Sequence, residues 1–231
     1  MESRRVRVIG VGPGDPEQVT LAAVEAMRSV DYFIVTDRSS CGGMPDPLVT
    51  ARDRLLDRHL TRPPTIVRIE DPDAVPEAMA TALRSRSGVA GLLVWGDPAF
   101  YDSTIPILRS LPGLDVEMDV VPGISAVQLL AARHRLVLHE VGEPLHLTSG
   151  RALAAAVAQG QENVVVMLNR VIDLPGLDDW SIWWGANLGT AHEELVAGRV
   201  ATVLPDIHTA RNRVAERAGW IMDIFLLRRE A

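Results

Sequence analysis

Three glycine-containing loops carry most of the chemistry-bearing residues of this 231-residue chain. The first is Gly10-Val11-Gly12-Pro13-Gly14-Asp15-Pro16, directly after an apolar run. Its glycines suit a sharp turn where a ligand approaches the backbone, and equally a tight turn with no ligand. A dinucleotide fingerprint would need glycine where Asp15 stands. A carboxylate aimed at a pyrophosphate is repulsive, so a nicotinamide-dependent oxidoreductase is disfavoured. The second loop, Trp95-Gly96-Asp97-Pro98-Ala99-Phe100-Tyr101-Asp102-Ser103-Thr104, combines a glycine, two carboxylates and an aromatic pair. A helix cap alone would need one acid and no aromatic. The third, Val121-Pro122-Gly123-Ile124-Ser125-Ala126, offers small residues on which a flat ring can lie, or a plain hinge.

Absences narrow the chemistry. All 23 basic residues are Arg, which removes Schiff-base catalysis and a P-loop lysine. Cys41 is the only cysteine, and the His residues show no paired metal-ligand spacing, so no built-in metal is expected.

The elements that must position these loops alternate. Strand patterns at Val6–Val11, Tyr32–Val35, Thr65–Ile69, Gly91–Trp95 and Val116–Val121 interleave with helical patterns at Thr20–Arg28, Pro47–Leu60, Val75–Arg84 and Ser103–Leu111. Such βαβα alternation predicts an α/β domain with a mainly parallel sheet, and ligands of open α/β sheets bind beyond the carboxyl ends of the strands. After Pro122-Gly123 the texture changes. A helix at Ile124–Arg133 leads to strand-like Val137–Leu147, a helix at Arg151–Ala158, the strand Val164–Leu168, and short strand-like runs at Ser181–Trp184, Glu194–Val196 and Val200–Leu204. We therefore expect two domains, an N-terminal parallel α/β domain over 1–121 and a C-terminal mixed-sheet α/β domain over 122–231. A ligand is expected in the cleft between them.

Apolar residues make up 47% and charged residues 23% of the chain, the profile of a folded globular protein. A net charge of −7 argues against a nucleic-acid partner. No run approaches membrane-spanning length and no signal-peptide pattern is present, so a cytoplasmic protein is expected.

Taken together, GVGPGDP near the N-terminus, Asp37-Arg38 after the second strand, GDPAFY near 100 and PGISA near 125 resemble the tetrapyrrole methylases in order and approximate spacing over essentially the whole chain. The resemblance implies a two-domain homodimer that binds S-adenosylmethionine (SAM) between its domains and methylates a tetrapyrrole of corrin biosynthesis. It assigns cofactor contacts to Pro13, Trp95, Gly96, Asp97, Phe100, Ser125, Ala126, Met167 and Leu188. The residue types agree, because the cofactor carries no phosphate and its sulfonium suits backbone oxygens and aromatic faces. Met167 fits core packing equally well.

The same resemblance makes Asp37 a proton acceptor, with a solvated carboxylate as the alternative, and brings Tyr101 and Asp102 into the catalytic set. Arg38, Arg133, Arg135 and Arg151 become candidates for gripping the substrate's carboxylate arms, since a guanidinium binds carboxylates bidentately and stays charged. His134, His139 and His146 are possible acid–base groups or structural residues, and Trp180, Trp183 and Trp184 read as core or dimer contacts. Many relatives continue GDPF with a glycine- and acid-rich stretch. The Tyr101-Asp102-Ser103-Thr104 found here suggests a different methylated position.

Overall fold

Near-continuous burial along the inner strands of the first sheet shows that it is covered on both faces. The structure, a computed structural model, describes residues 3–36, 47–69 and 75–229. Within it the chain forms two compact units, Met1–Ser125 and Ala126–Ala231.

In the first unit β1 (Arg4–Gly10), β2 (Tyr32–Thr36), β3 (Ile66–Ile69), β4 (Val89–Val94) and β5 (Val116–Val121) pair in the order β3-β2-β4-β1-β5. Every pair is parallel. Tyr32 and Ile34 face one side with Val6, Val8 and Leu92, packed with Met79 and Leu83 of α3 (Val75–Ser85) and Leu108 of α4 (Thr104–Ser110). Phe33 and Val35 face the other with Ile9, against Ala23 and Met27 of α1 (Leu21–Arg28) and Leu55 and Leu56 of α2 (Pro47–His59). Burial on both faces is what a parallel sheet requires. Thr20 caps α1 by accepting from the Ala23 N–H at 3.1 Å.

The second unit holds α5 (Ala126–His134), β6 (His146–Ser149), α6 (Leu153–Ala158), β7 (Asn163–Met167), β8 (Trp180–Ala186), β9 (Glu194–Arg199), α7 (Val200–Ala218) and β10 (Asp223–Arg229). Its sheet order is β6-β7-β10-β8-β9, with only β6 and β7 parallel. One face packs Val164, Ile182, Trp184 and Phe225 against Val200, Ile207, Ala210 and Val214 of α7. The other packs Val165, Ile224 and Leu226 against Val127, Leu129 and Leu130 of α5.

Two expectations fail here, and one strand was not expected at all. Val200–Leu204 is not a strand but the start of the 19-residue α7. Its helical period emerges only over the longer span from Val200 to Val214, and Pro205 inside it obscures the reading. The strand expected over Val137–Leu147 shrinks to β6. Side chains take its carbonyls: Arg228 donates to the Val137 and Leu138 oxygens at 3.0 and 2.7 Å, and Asn163 donates to those of Leu138 and Pro144. The central strand β10 went unread, although Asp223-Ile224-Phe225-Leu226-Leu227 is an apolar run of strand length.

Candidate active site

The carboxyl ends of β4, β1 and β5 lie side by side in the first sheet, so the three glycine loops emerge together. They are tied backbone to backbone. Val11 N–H donates to the Val94 oxygen at 2.9 Å, and Gly12 and Gly96 exchange N–H···O bonds of 3.2 and 2.8 Å. Asp97 completes the tie, accepting from Ala99 N–H through Oδ1 at 2.8 Å and from Gly123 N–H through Oδ2 at 2.9 Å. Both oxygens of this carboxylate therefore hold loops in place. The glycines have a matching role that differs from the expected approach of a ligand. A Cβ on Gly123 would lie 2.1 Å from the Gly96 oxygen, and one on Gly10 would lie 2.5 Å from the Gly123 nitrogen. Neighbouring loops, not a ligand, occupy that space.

Asp15 has a structural use too, capping a short 3-10 turn by accepting from Glu17 N–H at 2.9 Å. Pro13 is half-buried beside it. Trp95 packs on the cluster containing Ile9 and Val11, Phe100 is half-buried, and Ser125 is buried. Asp102 caps α4 through Oδ1, accepting from Thr104 N–H at 2.8 Å, whereas Ser103 makes no cap bond. One oxygen of Asp102 is left for other work. Tyr101 is 49% exposed with φ of 51°, a left-handed backbone that costs a bulky residue on the order of 1–2 kcal/mol. Asp37 and Arg38 lie outside the described residues.

In the second unit Ala126, Met167 and Leu188 gather on a single apolar cluster built on Val165, Leu130 and Ile224. The structure thus brings together three residues that lie far apart in sequence. The arginines separate into two kinds. Arg133 is committed to Glu193 at 2.7 Å, and the other Glu193 oxygen accepts from Gly189 N–H at 2.7 Å, steadying the turn that carries Leu188. Arg135 and Arg151 are exposed, and their side chains make no ion pair or hydrogen bond among the described residues. His134 touches the Trp184 oxygen at 3.0 Å, and burial holds its pKa below the ordinary imidazole value despite that bond. Trp180 and Trp184 are core residues, while Trp183 lies under the Arg228 guanidinium, 5.4 Å from the ring centroid.

Sequence reasoning missed a signal that only dihedral angles carry. Among the described residues, the non-glycine residues with positive φ are Tyr101, Arg135, Leu168 and Asn187. Leu168 follows Met167, Asn187 precedes Leu188, and Tyr101 and Arg135 are themselves candidates. Backbone strain of this kind concentrates at functional sites. Among the same residues, no group of three His, Cys, Asp or Glu side chains is arranged to hold a metal, and no helix is long and apolar enough to cross a membrane.

A doubly covered parallel sheet with three tied loops at its carboxyl ends, followed by a mixed sheet, is the two-part α/β architecture of the tetrapyrrole methylase structures. The chain belongs to the tetrapyrrole (corrin/porphyrin) methylase family, whose model matches residues 5–204, and it is a methyltransferase. It is 32% identical over 254 residues to the precorrin-6A synthase [deacetylating] of a Sinorhizobium species, covering 99% of this chain and 96% of that protein. A CobF structure from Corynebacterium diphtheriae, described as related to cobalamin synthesis, superposes with a TM-score of 0.84 at 32% identity, covering 98% of this chain and 99% of the other. The uroporphyrin-III C-methyltransferase of Thermus thermophilus in complex with S-adenosylhomocysteine (SAH) shares the fold, with a TM-score of 0.62, 21% identity and 97% of each chain covered.

Proposed function

We propose that this chain is a SAM-dependent methyltransferase of cobalamin biosynthesis that converts precorrin-5, SAM and water to precorrin-6A, acetate and SAH. The observation that carries this reading is the similarity to a deacetylating precorrin-6A synthase over nearly the full length of both chains. The loops fit the cofactor. Asp15, Asp97 and Asp102 make the strand ends of the first unit a poor place for a phosphate and a suitable one for a sulfonium cation. The cluster under Ala126, Met167 and Leu188 is an apolar support for an adenosine.

Bound SAM supplies an electrophilic methyl group. The family resemblance makes Pro13, Trp95, Gly96, Phe100, Ser125, Ala126, Met167 and Leu188 its contacts. Asp97 acts by holding the loops. The uncommitted oxygen of Asp102, or Asp37, takes a proton from the water that adds to the C1 acetyl carbonyl of the substrate. Collapse of that adduct breaks the bond between C1 and the acetyl carbon and releases acetate. The electron pair stays on C1, delocalised over the macrocycle, and would form the new bond to the methyl carbon as the sulfonium S–C bond breaks and SAH leaves. Arg135 and Arg151 hold carboxylate arms, and Tyr101 shields the reacting face. The protein's contribution is positioning and proton transfer. We propose that it works as a cytoplasmic homodimer.

Incubation with a precorrin-5-generating system and methyl-labelled SAM tests the reading. Labelled precorrin-6A with one equivalent of acetate is the expected result. A labelled product that keeps its acetyl group would assign the chain to another position on the ring, and no label transfer would overturn the reading.

A further inference from the structure

Leu168 and Asn187, two of the non-glycine residues with positive φ, leave the second sheet at the same end. Strands β7 and β8 both run antiparallel to β10, and Val166 and Trp184 both stand opposite Phe225. The segment Trp220–Asp223 that leads into β10 is held from both sides. Asn187, itself buried, bonds to it through backbone and side chain: its N–H donates to the Met222 oxygen at 2.8 Å and its Oδ1 accepts from Met222 N–H at 2.8 Å. On the other side Asn169 Nδ2 donates to the Asp223 oxygen at 3.2 Å.

Behind this edge sits a charge pair that the proposed chemistry does not use. The Asp223 side chain is 1% exposed and that of Arg211 15%. Asp223 Oδ2 accepts from Arg211 Nε at 2.7 Å and from Trp184 Nε1 at 3.1 Å, and Arg211 Nη2 reaches on to the Asn169 oxygen at 3.3 Å. A buried ion pair is a poor way to stabilise a fold, since a well-packed apolar pair does as well or better. What such a pair does supply is fixed geometry. Here it fixes Asn169, one residue beyond a leucine that is 57% exposed and held at φ of 56°. An exposed leucine in a strained backbone gains nothing for the core.

We infer that Arg211 and Asp223 are positioning residues, acting through Asn169 to hold Met167 and Leu168 where they support the adenosyl group of the cofactor. This inference rests on the SAM reading above. None of the three touches the cofactor; they set the height and angle of the strand end that does.

The test uses Arg211→Lys, which keeps the charge opposite Asp223 but lacks the second nitrogen that spans to Asn169. The second variant is Asn169→Ala, which removes the Nδ2 bond to the Asp223 backbone oxygen and keeps the backbone carbonyl that Arg211 reaches. SAH is titrated by calorimetry, and steady-state kinetics separate the two substrates. In both variants the SAH Kd and the SAM KM rise together by about tenfold, on the scale of one lost hydrogen bond, while kcat and the tetrapyrrole KM stay put. Arg213→Lys, on the same helix as Arg211 but paired with Glu194 of β9, changes none of these. A lowered melting temperature with unchanged SAH affinity would show that the pair only holds the fold and would overturn the inference. Failure of the wild-type protein to bind SAH would instead refute the SAM reading itself.

Discussion

Gly123→Ala isolates the contact that ties the three loops together. The added Cβ would lie 2.1 Å from the Gly96 oxygen, 2.7 Å from the Gly10 carbonyl carbon and 2.9 Å from the Gly10 Cα. All three are backbone atoms, so no side-chain rotation relieves the clash. Gly123 is absent from the positive-φ residues, and the substitution therefore adds collision without conformational strain. To make room, the turn after β5 must withdraw from the loop after β4, which stretches the 2.9 Å bond from Gly123 N–H to Asp97. Overpacking of this kind costs about 1–3 kcal/mol, and a hydrogen bond to a charged group is worth about 1.5–3 kcal/mol. The same displacement causes both losses, so they overlap, and we expect about 2–4 kcal/mol in total. For a chain of this size that corresponds to a fall in Tm of roughly 4–16 °C.

The comparison is Gly142→Ala, where φ is 89° but nothing lies within 4 Å of the added Cβ. It pays only the left-handed penalty, about 1 kcal/mol, and leaves SAH binding intact. Scanning fluorimetry reads Tm and calorimetry reads SAH affinity. Gly123→Ala with wild-type Tm and wild-type SAH affinity would refute the account of the glycines as the packing surfaces of tied loops.

Two further outcomes follow from the second unit. Burial depresses the His134 pKa below its ordinary 6.5, so the unfolded chain binds a proton before the folded one does as pH falls. The resulting stability is complete above 6.5 and is lost as pH drops from there through the folded value. Between about pH 7 and pH 5 the wild-type Tm should thus fall more steeply than that of His134→Gln, and parallel curves would contradict this. Among the arginines, Arg135→Leu and Arg151→Leu should each raise the tetrapyrrole KM several-fold with SAH affinity unchanged. Arg133→Leu should instead weaken SAH, because it frees the Glu193 that steadies the Leu188 turn. Identical kinetic profiles for all three variants would show that the arginines do not divide in this way.

Local patterning determined the first unit. Its strands are short local patterns, β1, β4 and β5 run into glycine or proline within two residues of their ends, and β5 over Val116–Val121 was legible to the residue. The position of the glycine loops was legible for the same reason, since a turn at the carboxyl end of a parallel strand is written in neighbouring residues. The second unit was harder because its decisive contacts are remote. The carbonyls of Val137 and Leu138 are taken by Arg228, some ninety positions away, and no local pattern announces that a strand will be denied its ladder there. The use of the glycines was equally out of reach. A sequence shows that Gly10 and Gly123 lack side chains, but only the folded chain shows that each fills the space the other leaves. The strain at Leu168 belongs to the same class. Leucine has no preference for a left-handed backbone, and it is held there by the surrounding structure, a constraint that exists only once β7, β8 and β10 have met.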